Sequence, residues 1–295
     1  MSNAARRFPA PTDGVLSKEM LQAWEQDGYL VLEDYVSPAQ CQALMTRAEE
    51  IVAELGPSAL GEVFDAVGNS HGGDDYFLDS GDKIRVFFES GIHDAEGQLR
   101  VPLTRAANKL GHAMHDLDPV FEAFSRTTKL ANTAQGLGLA KPGLLQSMMI
   151  FKHAQVGGEV GLHQDSTFLI TEPESCIGFW FALEDATAQN GAMKALPGGH
   201  KGPLEKHFKR NDQGGIDMID LDTADWDMQA LVDLSAPQGS LVLLHGRLPH
   251  QSAPNTSDKS RQAYTLHVVD QETSYHPANW LQRPEDMPLR GFRHA

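Results

Sequence analysis

A chain of 295 residues, 41% hydrophobic and 22% charged, is long enough to bury one large core and has the balance of an ordinary globular protein. Its formal net charge of −16 argues against a generic affinity for nucleic acid or anionic membrane, since both depend on basic surface. Cys41 and Cys176 are too few for a disulfide framework and lack the Cys-x-x-Cys spacing of a structural zinc site, no stretch approaches the ~20 apolar residues of a membrane span, and neither end carries a recognised address, so a cytoplasmic protein with two core cysteines is expected.

In chain order, residues 1–16 read as a loose leader, Ser17 to Gln26 as a short helix and Gly28 to Val36 as a strand rich in β-formers. The next helix is the clearest. Ser37, Pro38 and Gln40 form a capping box with proline at the first helical position, after which Cys41, Leu44, Met45, Ala48, Ile51, Val52 and Leu55 recur at helical spacing. Residues 56–82, rich in Gly, Asp, Asn and Ser, read as a long loop beside the site, and Ile84 to Phe88 as a strand. Residues 101–137 read as two helices, the first carrying Leu103, Ala106, Leu110 and Met114 on one stripe and the second starting at Asp118-Pro119 with Phe121 and Phe124. The period then changes to short strands at Leu144–Phe151, Cys176–Leu183, Ala192–Leu196, Leu241–Leu244 and Gln262–Val269, separated by Gly, Pro, Asn and Asp turns. Helices first and antiparallel strands afterwards predict one α+β, mainly β domain over residues 1–295: a helix-rich buttress at 17–137 and a double-stranded β-helix, a cupin-like jelly roll, at 144–270.

Two polar constellations lie in the strand-rich half. In a strand through Gly161-Leu162-His163-Gln164-Asp165, His163 and Asp165 project together about 6.5 Å apart while Gln164 turns away. By itself His-x-Asp reads equally as two polar residues at a strand end. Downstream, the apolar run Leu241–Leu244 leads through a turn to His250 and Ser252, and Arg261 follows eleven residues after His250, beyond the Pro254–Asp258 turn. Two imidazoles and a carboxylate make the facial triad that holds non-haem Fe(II) with open positions, and an Arg fork with a Ser hydroxyl makes a carboxylate anchor. His245, at the end of the apolar strand, competes with His250 but has neither Ser252 on its face nor Arg261 at the matching distance.

These residues, with Gln146-Ser147-Met148, Gly157-Gly158-Glu159-Val160, Glu184-Asp185-Ala186-Thr187, Asn190-Gly191, Pro197-Gly198-Gly199-His200 and Ser260-Arg261-Gln262-Ala263-Tyr264-Thr265, carry a resemblance. Upstream, Asp74-Asp75-Tyr76-Phe77-Leu78 and Gly81-Asp82-Lys83-Ile84-Arg85 add to it. From about Lys18 to about Leu281 the chain resembles the phytanoyl-CoA dioxygenase family of Fe(II)- and 2-oxoglutarate-dependent oxygenases, and within it the domain-containing protein 1 branch. The resemblance implies His163, Asp165 and His250 as iron ligands, Arg261 with Ser252 on the distal carboxylate of 2-oxoglutarate, and Lys109, Met148 and Trp180 along that cosubstrate. It implies Fe(II), 2-oxoglutarate and O₂ as the cofactor set, admits ascorbate as a stimulant, and gives hydroxylation of an unactivated C–H bond with release of succinate and CO₂. Asp165 speaks against a halogenase, whose site replaces the carboxylate with a small residue.

Without the resemblance, Lys109 reads as a solvated helix lysine and Met148 and Trp180 as core. His153, His200, His207, His245 and His267 read as structural or surface residues. Residues 201–234 lie outside the resemblance, and 200–234 are expected to form a substrate lid, whose basic start, including Lys206, Lys209 and Arg210, would favour a small anionic substrate. A non-catalytic cupin-like binding module and a zinc hydrolase are the readings from other classes. Oligomeric state leaves no trace in the sequence.

Overall fold

The computed structural model describes residues 5–59, 63–64, 75–94 and 98–292. Strand β1 (Arg7–Pro9) is followed by α1 (Lys18–Asp27), β2 (Tyr29–Glu33) and α2 (Pro38–Leu55). Ser37 caps α2 as read: its hydroxyl accepts from the Gln40 N–H and the Gln40 side chain returns to the Ser37 N–H. Next come β3 (Val63–Phe64), α3 (Asp75–Leu78), β4 (Ile84–Glu89), α4 (Leu103–Ala106), β5 (Ala107–His112), α5 (Met114–Leu117), α6 (Pro119–Ser125) and α7 (Thr128–Gly136). The strand-rich half contains β6 (Pro142–Lys152), β7 (Val160–His163), β8 (Thr171–Glu172), β9 (Ile177–Ala182), β10 (Met193–Ala195), β11 (Lys206–Arg210) and β12 (Ile216–Asp220). It closes with β13 (Val232–Asp233), β14 (Leu241–His245), β15 (His250–Ser252), β16 (Arg261–Asp270) and β17 (Ser274–Tyr275).

Eight of these strands alternate between two antiparallel sheets, β14-β9-β16-β6 and β13-β10-β15-β7, which is the double-stranded β-helix expected. The first is extended to nine strands by β2 and β1 on one edge and β5, β4 and β3 on the other. Alternation along β9 fixes its two faces. Phe179 and Phe181 turn outward onto Leu44 of α2 and Phe121 and Phe124 of α6, whereas Trp180 and Ala182 turn inward with Val242 and Leu244 toward Met193 and Ala195 of the second sheet. Each such side chain contributes about 1.5–3 kcal/mol by leaving water, so the outer layer clamps the sheet whose inner face carries the chemistry.

Three expectations are corrected. Arg7–Pro9, inside the supposed leader, is an edge strand parallel to β2, with Phe8 opposite Leu32. The first of the two helices read at 101–137 is interrupted: Ala107–His112 is strand β5, hydrogen-bonded to β4 on one side and β6 on the other, and the ladder bonds on both edges outweigh a weak helical pattern containing Asn108 and Gly111. The loop read at 56–82 holds a 3₁₀ turn at Gly56–Ser58, β3 and α3 where it is described, and residues 60–62 and 65–74 of it lie outside the described residues. Residues 200–234 are ordered, with β11 and β12 forming a hairpin.

Candidate active site

Strand β7 ends at His163, and Asp165 opens a 3₁₀ turn rather than continuing the strand. Gln164 turns away as read and pins that turn: its amide nitrogen donates to the Pro203 and Arg247 carbonyls, and its oxygen accepts from the Glu205 N–H. On β15, His250 pairs directly opposite His163, bringing the imidazole centroids to 4.2 Å. The Nε2 atoms of His163 and His250 lie 3.6 and 3.7 Å from Asp165 Oδ1, and the three donor atoms fall within 4.8 Å of one another. Each imidazole donates its Nδ1–H to a carbonyl, His163 to Gly161 at 2.8 Å and His250 to Leu248 at 2.9 Å, so both Nε2 lone pairs converge on one point.

Burial pushes the Asp165 carboxyl up, but the imidazoles of His267, His250 and His163 outweigh it and hold the group well below its ordinary range. Burial and the neighbouring His163 push His250 down to about 4. A carboxylate beside neutral imidazole is the donor set a divalent first-row metal requires, and the residues present therefore fit Fe(II).

A cavity of about 980 Å³ opens from this triad. Its wall is the inner face of the large sheet, where cross-strand register stacks residues in rows. Gln146, His267 and Gly178 form one row, Met148, Thr265 and Trp180 the next, and Lys152 lies opposite Arg261 at the far end. Arg261 is 2% exposed, and its Nη2 donates to the Gly191 carbonyl at 2.9 Å while Nε and Nη1 have no partner. Two buried guanidinium nitrogens without an acceptor are costly unless one arrives, and a carboxylate is the acceptor a guanidinium binds best. Gly191 presents its carbonyl from a left-handed turn (φ 85°) after the Thr187–Asn190 capping box, and a Cβ there would stand 2.6 Å from the Ala253 carbonyl oxygen. Ser252 lines the cavity two residues from His250, and Trp180 lies under the Arg261 guanidinium at 5.4 Å.

Lys109 lines the same cavity from a strand, not a helix, and is buried over the rings of Phe77 and Phe87 at 5.0 and 5.1 Å. Desolvation holds its ammonium well below the usual lysine range. All eight residues singled out in the sequence thus border one cavity. His245 does not: it lies in tilted ring contact with Trp24 and His200. Of the histidines set aside, His267 is misread. It is buried on the cavity wall with Nε2 3.2 Å from Asp165 Oδ2, and Thr265 shares its face with an unpartnered hydroxyl. The signal was available, since Arg261, Thr265 and His267 share one face of a strand at period two.

Gly178 faces the same carboxylate. A Cβ at this position would lie 3.0 Å from Asp165 Oδ2 and 3.5 Å from the Leu244 Cβ, so the carboxylate would have to shift by a few tenths of an ångström. Gly178→Ala is expected to weaken metal binding on the order of tenfold while shifting Tm little, as measured by Co(II) titration beside thermal unfolding.

A solved structure shares this fold. The epimerase SnoN, in complex with Fe³⁺, alpha-ketoglutarate and nogalamycin RO, superposes with a TM-score of 0.63 at 14% identity over 91% of this chain and 90% of that chain, a likeness of fold. The model of the family Phytanoyl-CoA dioxygenase (PhyH) matches residues 24–263. Phytanoyl-CoA dioxygenase domain-containing protein 1 of Bos taurus is 41% identical over 93% of this chain and 97% of its own length, and the phytanoyl-CoA dioxygenase of Arabidopsis thaliana is 39% identical over 92% and 95%. The chain belongs to the phytanoyl-CoA dioxygenase family. Among the described residues, no helix is long and apolar enough to cross a membrane.

Proposed function

We propose that the protein is an Fe(II)- and 2-oxoglutarate-dependent dioxygenase that hydroxylates an unactivated C–H bond of a small, largely apolar organic substrate, releasing succinate and CO₂. The observation carrying this reading is the pair of unpartnered, buried Arg261 N–H groups in the cavity that also holds the His163, Asp165 and His250 donors. His163, Asp165 and His250 would hold the iron. Arg261 and Ser252 would take the distal carboxylate of 2-oxoglutarate, whose body would run past Met148, Thr265 and Trp180, with Lys109 at its side. Bound iron supplies the activation of O₂ coupled to oxidative decarboxylation of the cosubstrate. The protein contributes position and dryness: two fixed imidazoles, one anionic oxygen and a charged fork buried at the opposite end.

The hairpin of β11 and β12 supports an apolar substrate more than an anionic one. Phe208 lies 5.4 Å from Phe168 and 6.3 Å from Phe77, and Phe77 stacks on Trp280 at 4.4 Å. Within the basic segment Arg210 is engaged by backbone carbonyls, and Lys206 meets an acidic residue. Arg210 donates to the Trp280 and Leu78 carbonyls, and Lys206 lies 3.8 Å from Asp220, with Glu205 and Asp217 on the same cavity. The test is succinate formation from 2-oxoglutarate in air. The reading requires turnover with Fe(II) and none with Zn(II); ester or amide hydrolysis with Zn(II) would make it a zinc hydrolase, and no turnover with either metal a binding module.

A further inference from the structure

Asp165 has two oxygens in different surroundings. Oδ1 faces the Nε2 atoms of His163 and His250, whereas Oδ2 lies 3.2 Å from Nε2 of His267. The tautomer of His267 follows from its other side. Gln146 Nε2 lies 3.0 Å from His267 Nδ1, and an amide nitrogen can only donate, so Nδ1 accepts and the ring hydrogen sits on Nε2, directed at the carboxylate. On a neutral ring the reversed amide would put the proton on Nδ1 and set a bare Nε2 against an anionic oxygen, two acceptors 3.2 Å apart, and a ring carrying both hydrogens would still direct Nε2–H at the carboxylate. Both groups are fixed by the sheet: Gln146 and His267 are register partners on β6 and β16, and both are buried. Gly178, the partner of His267 on β9, leaves the space through which Oδ2 reaches the imidazole.

We infer that Gln146 and His267 form a relay that ties down Asp165 Oδ2, so that the carboxylate offers the metal one oxygen, Oδ1, and keeps the remaining positions open for cosubstrate and O₂. His267 is a positioning residue: it acts through Asp165 and touches neither the metal point nor the reacting atoms. The inference rests on the metal site proposed above, deepens it by assigning the denticity of its one anionic ligand, and predicts that a residue outside the triad governs metal coordination.

The experiment is an anaerobic titration of metal-free wild type, His267→Ala and His267→Gln with Co(II), whose visible d–d bands report coordination number, with no cosubstrate or turnover involved. His267→Ala is expected to raise the Co(II) Kd roughly 10- to 100-fold and to change the band intensity as the freed carboxylate swings to two-oxygen binding or away. His267→Gln, which keeps an N–H donor, should recover most of the affinity and the wild-type spectrum. Should His267→Ala fail to fold, His267→Leu fills the same space without a donor and gives the same reading. Wild-type Kd and spectrum in the donor-less variant would overturn the relay. His163→Ala separates the two claims: if wild type binds Co(II) no better than His163→Ala, the metal site itself is wrong, whereas loss in His163→Ala with no change in His267→Ala rejects the relay alone.

Discussion

Asp165→Ala is expected to reduce 2-oxoglutarate turnover to background and to weaken divalent-metal binding by more than the roughly 10- to 100-fold that loss of an outer partner costs. Among the described residues the carboxylate is the one anionic donor on the convergence point of the two Nε2 atoms, and its other oxygen lies 3.2 Å from His267 Nε2. Alanine leaves His163, His250 and His267 facing one another without it. Asp165 belongs to neither hydrophobic layer that holds the sheets, so the variant should unfold near the wild-type Tm. Metal titration, succinate formation and thermal unfolding on the same preparation check this. Near-normal turnover at micromolar iron would mean a different ligand set.

Arg261→Met should raise the 2-oxoglutarate KM by roughly 30-fold or more. Losing one partner of a buried charge-assisted pair typically costs ~2 to 5 kcal/mol, and each 1.4 kcal/mol is tenfold. Methionine fills much of the same volume beside Trp180, so the effect reads the fork and not a cavity. Arg261→Lys keeps a charge without the planar fork and should fall between the two. Metal affinity in the absence of cosubstrate should barely move, because Arg261 lies three rows from the Asp165 contact, at the far end of β16 from His267. An unchanged KM would shift the anchor to another cation on the cavity, with Lys109 the next candidate.

What could be read in advance depended on whether a residue's role was set by its neighbours in sequence. The Ser37–Gln40 box, the stripe from Cys41 to Val52 and the alternating runs of β6, β9, β14 and β16 are local patterns, and the fold follows them. His163, His250 and Arg261 stood at strand ends beside turns that the sequence marks. Three features depended on tertiary pairing. Strand β5 exists because β4 and β6 offer ladders on both sides, which overrode an apolar spacing compatible with a helix and put Lys109 into the cavity wall. The leader strand β1 exists because β2 would otherwise present an open edge. His267 looked like one histidine in a buried strand, and its part in the site becomes visible only once Asp165 leaves its own strand and turns one oxygen toward β16. The lid carried a charge pattern that suggested an anion site, yet three-dimensional placement ties Arg210 to backbone carbonyls and sets acidic residues beside Lys206.

The most direct test of the central claim is anaerobic addition of 2-oxoglutarate to the iron-loaded protein while recording the visible metal-to-ligand charge-transfer band. The band requires both partners at one centre, before any substrate is known. The account predicts a saturable band in wild type that is absent in Asp165→Ala and needs at least 30-fold more 2-oxoglutarate to half-saturate in Arg261→Met. A wild-type protein that binds Fe(II) and 2-oxoglutarate without developing the band, or a band of equal strength and midpoint in all three proteins, would contradict it.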